Sequence, residues 1–198
     1  MKKVTNKNGN TPGKKNVLTY AVIKGTDDLP GYSPERIAMN LAMTSWNLEI
    51  PVKLKSVKAT EHPDITVKFA DKTTDKYFKD KPTVLAYAYF PGQGAVSGKI
   101  VFNDDYLWSK DGERTPDGKP TYNLVHVLIH EIGHSLGLRH SERNERKQDV
   151  MNPYYNGITK LSEYDILRIR NLYGVRTWSR WNWYQIIKNW LKNRKRRF

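Results

Sequence analysis

One stretch of eleven residues restricts what this chain can fold into more than any other part of it. Residues 130–140 read H-E-I-G-H-S-L-G-L-R-H. In a helix, His130 and His134 are four residues apart and their rings project from the same face. Gly137 lets the chain turn sharply out of that helix, since glycine adopts positive φ at little cost, and the turn can bring in His140. Three neutral imidazole nitrogens bind Zn²⁺ and leave a fourth position for water, as in catalytic zinc sites.

Glu131 lies beside the metal-facing positions and is not needed as a ligand. Its carboxylate can take a proton from a water molecule whose pKa the zinc ion has lowered to about 7. A pair of histidines four residues apart is common in helices and is often structural. With Glu131, Gly137 and His140 at fixed offsets, coincidence becomes improbable, and the stretch predicts zinc-dependent hydrolysis.

The composition excludes several other classes of protein. The 198 residues include no cysteine, which rules out a disulfide scaffold, a cysteine-ligated zinc finger, an iron–sulfur protein and a thiol nucleophile. No apolar run approaches the roughly 20 residues of a membrane span. Residues 1–16 contain lysines but no apolar segment, so we expect neither a signal peptide nor a transmembrane segment in the chain.

The hydrophobic pattern predicts an α+β fold with a mixed sheet. Several strands precede the last two helices, whereas a βαβ protein would alternate them. A charged loop is predicted over residues 71–82. The segments with strand character, rich in β-branched and aromatic residues, are residues 16–24, 51–57, 64–70, 83–90 and 98–103.

Three helices are predicted from their end signals. The first begins at Ser33-Pro34, the second is capped by Asn123 and runs over residues 124–136, and the third begins at a capping box of Ser162 and Asp165 and ends at Gly174. The apolar residues at helical spacing predict one buried face on the first helix, made by Ile37, Ala38, Leu41, Ala42 and Trp46.

The residues after the third histidine extend the pattern. Ser141 follows it directly, and Met151, Pro153 and Tyr155 form M-x-P-x-Y, which supplies the methionine turn of the metzincin signature. The chain resembles the catalytic domain of the matrixins, the matrix metalloproteinases, from about residue 15 to residue 174. The other stretches that carry the resemblance are L-T-Y-A-V, D-L-P, D-I-T-V-K-F-A, L-A-Y-A-Y-F-P-G-Q-G, L-S-E-Y-D-I and N-L-Y-G.

This resemblance implies a zincin-like fold, with a twisted mixed five-stranded sheet and three helices. It implies a zinc endopeptidase that cleaves extended protein substrates, with an extracellular location. The implied zinc ligands are His130, His134 and His140, and Glu131 is the implied general base. Met151 would form the hydrophobic floor under the zinc. For the substrate, Pro153 to Tyr155 would line the pocket for the residue after the scissile bond, and Leu85 and Ala86 would offer backbone hydrogen bonds by strand addition.

The chain departs from the matrixin pattern where that family holds a second, structural zinc with three histidines and an aspartate. Tyr87 stands in place of one ligand histidine, and the other two are also missing. Lys99 and Tyr106 fall where calcium-binding acids would lie. We therefore expect one catalytic zinc, no structural zinc and a lost or weakened calcium site. Without cysteine, a cysteine switch cannot restrain the activity.

The two ends of the chain differ from its middle in charge. Residues 1–15 form a basic lead, residues 16–174 the matrixin-like domain, and residues 175–198 a tail with eight Lys and Arg and no acid. One helical arc of the tail carries Trp183, Ile186, Ile187, Trp190 and Leu191. Such a basic amphipathic segment fits three kinds of partner. These are a membrane or other anionic surface, the protein's own body or a second copy, and nucleic acid. The alternative function is a cationic surface-binding protein whose protease body is inactive or secondary.

Four further residues allow two readings or lie apart from the motif. His126 precedes His130 by four residues and is read as a packed or hydrogen-bonded residue, with a ligand role as the alternative. His62 precedes a proline and is expected at the surface. Tyr154 and Tyr155 are expected as pocket walls, with donation to the transition state as the alternative.

Overall fold

The computed structural model describes residues 15–29, 34–141 and 146–176. Within these ranges the α-helices are α1 (Pro34–Asn47), α2 (Lys76–Asp80), α3 (Leu124–Ser135) and α4 (Glu163–Tyr173). The strands are β1 (Val17–Lys24), β2 (Lys53–Ser56), β3 (Ile65–Ala70), β4 (Ala86–Ala88), β5 (Lys99–Asn103), β6 (Trp108–Ser109) and β7 (Tyr122–Asn123). Short 3-10 turns lie at Ala59–Glu61 and Gly94–Val96.

Five strands form one mixed sheet in the order β2-β1-β3-β5-β4. The pairs β1–β2, β1–β3 and β3–β5 are parallel, and only β4 runs antiparallel to its neighbour β5. Alternate residues of the central strand β3, Ile65, Val67 and Phe69, enter the core, as the period of two requires. The predicted α+β class and five-stranded mixed sheet are confirmed.

Helix α1 packs against α3 through its apolar arc. The indole Nε1 of Trp46 donates to the carbonyl oxygen of Ile129 at 2.9 Å, so this buried polar group is satisfied. Ala38, Ala42 and Trp46 are buried as predicted, but Ile37 and Leu41 are 57% and 55% exposed. Met39 and Met43 are buried instead. The prediction for Ile37 and Leu41 was wrong because the buried arc is centred on Met39, which lies about 160° around the helix from both.

The short helix α2 lies inside the segment that was predicted to be a charged loop. Asp75 caps it, since its side chain accepts the backbone N–H of Tyr77 at 2.9 Å. Helices α1, α3 and α4 are the three long helices of the predicted fold. Ser33, the predicted N-cap of α1, lies outside the described residues. None of the described helices combines the length and the apolar character that crossing a membrane requires.

Candidate metal centre

The helix α3 begins and ends as its sequence predicts, and this places the first two histidines. The side chain of Asn123 accepts the backbone N–H of His126 at 2.9 Å and caps the helix. At the other end, Gly137 has φ +103°, and the N–H of Leu138 donates to the carbonyl of Gly133 at 2.9 Å. This left-handed turn redirects the chain and brings His140 beside the two helical rings.

The Nε2 atoms of the three histidines converge. The distances are 3.1 Å between His130 and His134, 3.1 Å between His134 and His140, and 3.2 Å between His130 and His140. Four-coordinate zinc with Zn–N bonds of about 2.0–2.1 Å separates its nitrogen ligands by about 3.3–3.4 Å, so the cluster fits such an ion closely. Among the described residues, these three histidines form a group of potential ligand atoms that lie close enough together to hold a metal ion.

Hydrogen bonds on the far side of two rings determine which nitrogen faces the centre as a lone pair. His130 Nδ1 lies 2.8 Å from the carbonyl oxygen of Val150, and His134 Nδ1 lies 2.7 Å from that of Leu138. A carbonyl only accepts, so each Nδ1 carries the proton and each Nε2 is an acceptor. Acceptors facing one another at this distance repel unless a cation lies between them, which favours a bound metal.

The histidine rings are held neutral. Burial is the main cause that lowers the pKa of His134 to about 4 and the pKa of His130 well below its ordinary value of 6.5. Burial and the Arg168 guanidinium also lower the pKa of His140. Neutral imidazole is the form that binds a metal, so the ligands are ready at neutral pH.

Glu131 faces the same cavity as the histidines and lacks a partner. Its Oε2 atom is fully buried and accepts no hydrogen bond from the described residues. Burial raises the pKa of this carboxyl to about 8. An unpaired buried carboxyl is costly, and because the side chain lines the cavity, its other oxygen is the one that a molecule bound beside the three nitrogens could reach.

Met151 lies directly beneath the helix that carries the ligands. It is fully buried, and a Cβ atom at Gly133 would approach its Sδ atom to 2.4 Å and Cζ2 of Trp46 to 3.0 Å. Glycine at position 133 is therefore what lets the methionine come so close to α3. The neighbouring residue Val150 supplies the carbonyl that orients His130.

A cavity of about 1030 Å³ joins these residues to the residues expected to bind substrate. Leu85, Ala86, Pro153 and Tyr155 all line it, together with the three histidines and Glu131. The sequence interpretation did not single out Phe90, whose ring centroid is 5.3 Å from that of His134. The sequence signal that could have identified it is its place at the end of the predicted strand 83–90, directly before the turn at residues 91–94.

The pairing of β4 with β5 determines which backbone groups face the cleft. Asn103 N–H donates to Leu85 C=O at 2.9 Å, and Tyr89 N–H donates to Lys99 C=O at 2.9 Å. In an antiparallel pair these groups alternate, so the backbone of Ala86 and Ala88 points to the opposite edge of β4. The carbonyl of Leu85 is directed at β5 and is not free for a substrate, whereas the backbone of Ala86 and Ala88 faces the other edge.

Tyr87 lies in an aromatic cluster. Its hydroxyl donates to Asp75 Oδ2 at 2.9 Å, and its ring centroid lies 4.6 Å from that of Tyr77 and 5.4 Å from that of Phe78. Burial is the main cause that raises the pKa of Tyr87, and the Asp75 carboxylate adds to it. The hydrogen bond and the ring contacts link β4 to α2.

The two remaining histidines occupy different surroundings. His126 is buried, and its Nδ1 atom lies 2.5 Å from the carbonyl oxygen of Ile158. It is not part of the group of three convergent ligands. His62 is exposed with φ 51°, at the end of the turn Ala59–Glu61.

The matrixin family model matches residues 12–174 of the chain. Stromelysin-1 of Mus musculus is 35% identical over 176 residues, an alignment that covers 85% of this chain and 34% of that protein. Matrilysin of Felis catus is 37% identical over 171 residues, covering 83% of this chain and 60% of that protein. Macrophage metalloelastase of Oryctolagus cuniculus is 34% identical over 167 residues, covering 81% of this chain and 33% of that protein. The chain therefore spans between a third and three fifths of the length of these relatives.

Proposed function

The chain belongs to the matrixin family, and from this premise we propose that it is a zinc-dependent endopeptidase that hydrolyses peptide bonds of extended protein substrates. One observation carries the proposal: three imidazole nitrogens converge within 3.2 Å of one another beside an unpaired buried glutamate, in a cleft along a strand. An extracellular place of action is part of the proposal.

His130, His134 and His140 would hold one Zn²⁺ ion. A zinc ion there supplies Lewis acidity, which makes a water molecule more acidic and polarises the carbonyl of the scissile bond. The carbonyl of Val150 orients the ring of His130, and the carbonyl of Leu138 orients that of His134. We expect no structural zinc and a lost or weakened calcium site.

Glu131 acts as the general base and then as the general acid. Its carboxylate takes a proton from the attacking water and delivers it to the amine of the leaving product. Because the carboxyl forms no hydrogen bond with the described residues, both transfers can take place at Oε1, the oxygen that is not fully buried and faces the cavity. Burial raises the pKa of this carboxyl to about 8 in the absence of a metal ion. The charge of a zinc ion held beside it would lower that pKa and favour the carboxylate form that accepts the proton.

The substrate lies extended along the free edge of β4. Ala86 and Ala88 form hydrogen bonds to its backbone, which adds the substrate to the sheet as a further strand. Met151 packs under the ligand helix, and Pro153 and Tyr155 line the pocket for the residue after the scissile bond.

The test combines metal content with cleavage. Protein purified without added metal should contain about one zinc per chain, and a quenched peptide library should be cleaved before but not after chelation. Glu131→Gln should retain the zinc and lose cleavage by about 100-fold or more, the usual scale for a general base. Glu113→Gln changes an exposed glutamate and serves as the matched control.

One zinc without any cleavage would contradict the proposal. It would leave the alternative of a binding protein that uses the basic tail on an anionic surface. Residues 177–198 of that tail lie outside the described residues.

A further inference from the structure

His126 lines the active-site cavity, yet the proposed mechanism does not use it. It is 3% exposed and precedes His130 by one turn on the same face of α3. Four residues of helix place it about 6 Å along the helix axis from that ligand. It lines the cavity together with Pro153 and Tyr155, the residues proposed to form the pocket for the substrate residue after the scissile bond.

The ring of His126 is fixed so that it presents an acceptor. Its Nδ1 atom donates to the carbonyl of Ile158 at 2.5 Å, which leaves Nε2 with a lone pair. Burial lowers the pKa of His126, so the ring is neutral. Nε2 has no hydrogen-bond partner among the described residues, and it is not one of the fully buried unpaired atoms, so a molecule in the cavity can reach it.

The walls around this acceptor are flat and aromatic. The ring centroid of Tyr155 lies 5.0 Å from that of His126 at 83°, and Tyr122 meets Tyr155 in the same edge-on way at 5.0 Å. The hydroxyl of Tyr155 accepts the backbone N–H of Asn123 at 2.9 Å, which holds this wall to the start of α3. A planar side chain packs well against such rings.

We propose that His126 selects the residue after the scissile bond, and that the preferred residue is tyrosine. The inference rests on the proposed function. The ring of a tyrosine side chain fills a pocket with aromatic walls. Its hydroxyl, at the end of the ring farthest from the backbone, can donate a hydrogen bond to Nε2 of His126. Phenylalanine or leucine would remove water from Nε2 without replacing the hydrogen bond, which disfavours both.

The test uses the zinc-loaded full chain and peptides that differ only in the residue after the scissile bond. We expect kcat/KM for Tyr to exceed that for Phe about tenfold, the scale of one buried hydrogen bond. His126→Leu should bring this ratio to about one, whereas His126→Gln, which retains an acceptor, should keep part of it. His62→Asn removes an imidazole outside the cavity and suits the positive φ there, so it is the matched control. Zinc content and the thermal midpoint show whether each variant folds.

A binding measurement distinguishes failure of this inference from failure of the proposed function. In zinc-loaded Glu131→Ala, calorimetry should show that the Tyr peptide binds more tightly than the Phe peptide, and His126→Leu added to this variant should remove the difference. Equal binding, or cleavage that favours Phe, would overturn the inference and leave the endopeptidase intact. Tight Tyr binding without cleavage of any peptide by the wild type would support the pocket and overturn the function.

Discussion

The carboxylate of Asp165 accepts the backbone N–H of Val150 at 2.8 Å, although the two residues are 15 positions apart. The carbonyl of the same Val150 accepts the Nδ1 proton of His130 at 2.8 Å. The N-terminus of α4 is thereby joined to a ligand histidine through one residue. Asp165 is fully buried and also accepts from Ser162, so its two roles, capping α4 and holding the methionine turn, share one carboxylate.

Asp165→Asn should weaken both zinc retention and stability. The N–H groups of Val150 and Ser162 both donate to Oδ2 of Asp165, and that of Met151 donates to Oδ1 at 3.4 Å. The amide has a single acceptor oxygen, so the N–H groups on one of these two sides lose their acceptor, at a cost of about 1–3 kcal/mol in the free energy of unfolding. We expect a loss of zinc affinity of about tenfold, because the ring of His130 loses its support. Chelator competition measures the affinity, with the exposed Asp80→Asn as the control. Unchanged affinity would mean that Val150 is held by other contacts.

Gly133→Ala should destabilise the protein even though alanine favours a helix. The propensity gain is about 1 kcal/mol, but the added Cβ would lie 2.4 Å from Met151 Sδ in a fully packed region. Overpacking costs about 1–3 kcal/mol, so we expect a net fall in the thermal midpoint. Asn171→Ala, on the exposed face of α4, should show the propensity gain alone. A rise in the midpoint for Gly133→Ala would show that Met151 moves aside freely.

The metal-free protein should be most stable near neutral pH. The lowered pKa values of His126, His130, His134 and His140 mean that the unfolded chain binds more protons, so the free energy of unfolding falls as pH decreases from about 6.5. Glu131 acts in the opposite direction, because its pKa is raised from 4.5 to about 8, so the folded state binds the extra proton and stability falls as pH rises through that whole interval. Below about pH 6.5 the histidines outweigh this effect, and the net decline appears between pH 6.5 and 8.

Thermal unfolding in the presence of a chelator, at pH 4 to 9, checks this profile. Glu131→Gln should remove the decline between pH 6.5 and 8 and make the rise in stability between pH 4.5 and 6.5 steeper, because the amide does not titrate. A wild-type profile that stays flat between pH 6.5 and 8 would show that Glu131 ionises in the folded, metal-free protein without cost.

Tyr87→Phe should cost stability without changing the zinc content. It removes the hydrogen bond to Asp75, which is worth about 0.5–1.5 kcal/mol, while the ring contacts remain. Denaturant unfolding measures the loss, and Tyr154→Phe, at a residue that is 69% exposed, is the control. Metal analysis should find one zinc per chain in both variants. A second zinc in the wild type would contradict the prediction that this region holds no structural metal.

Removal of residues 177–198 should leave cleavage of a short peptide intact. The family match ends at residue 174, and all the proposed catalytic and substrate-binding residues precede it. The comparison is kcat/KM of the truncated and full chains on the same peptide. Equal loss of cleavage and of thermal stability would mean that the tail belongs to the folded domain and that the division at residue 174 is wrong.

The convergence of the three histidines could be predicted from the sequence because its geometry is local. His130 and His134 are related by the helical repeat, and Gly137 sets the turn that returns His140, so eleven residues contain nearly all the information. The capping box at Ser162 and Asp165 is local in the same sense, and the structure contains it. The strands of the mixed sheet could likewise be predicted, since a strand that buries alternate residues shows an apolar residue at every second position of the sequence.

Contacts between distant segments were decided only by the tertiary structure. Apolar spacing on α1 allowed more than one buried arc, and the position of α3 buried Met39 while it left Ile37 and Leu41 in water. The carbonyl of Leu85 was assigned to β5 by strand pairing. His126 became an acceptor in the cleft because the carbonyl of Ile158, far along the chain, takes its Nδ1 proton. Each outcome depends on which groups meet after the chain has packed, and no short-range pattern in the sequence encodes that choice.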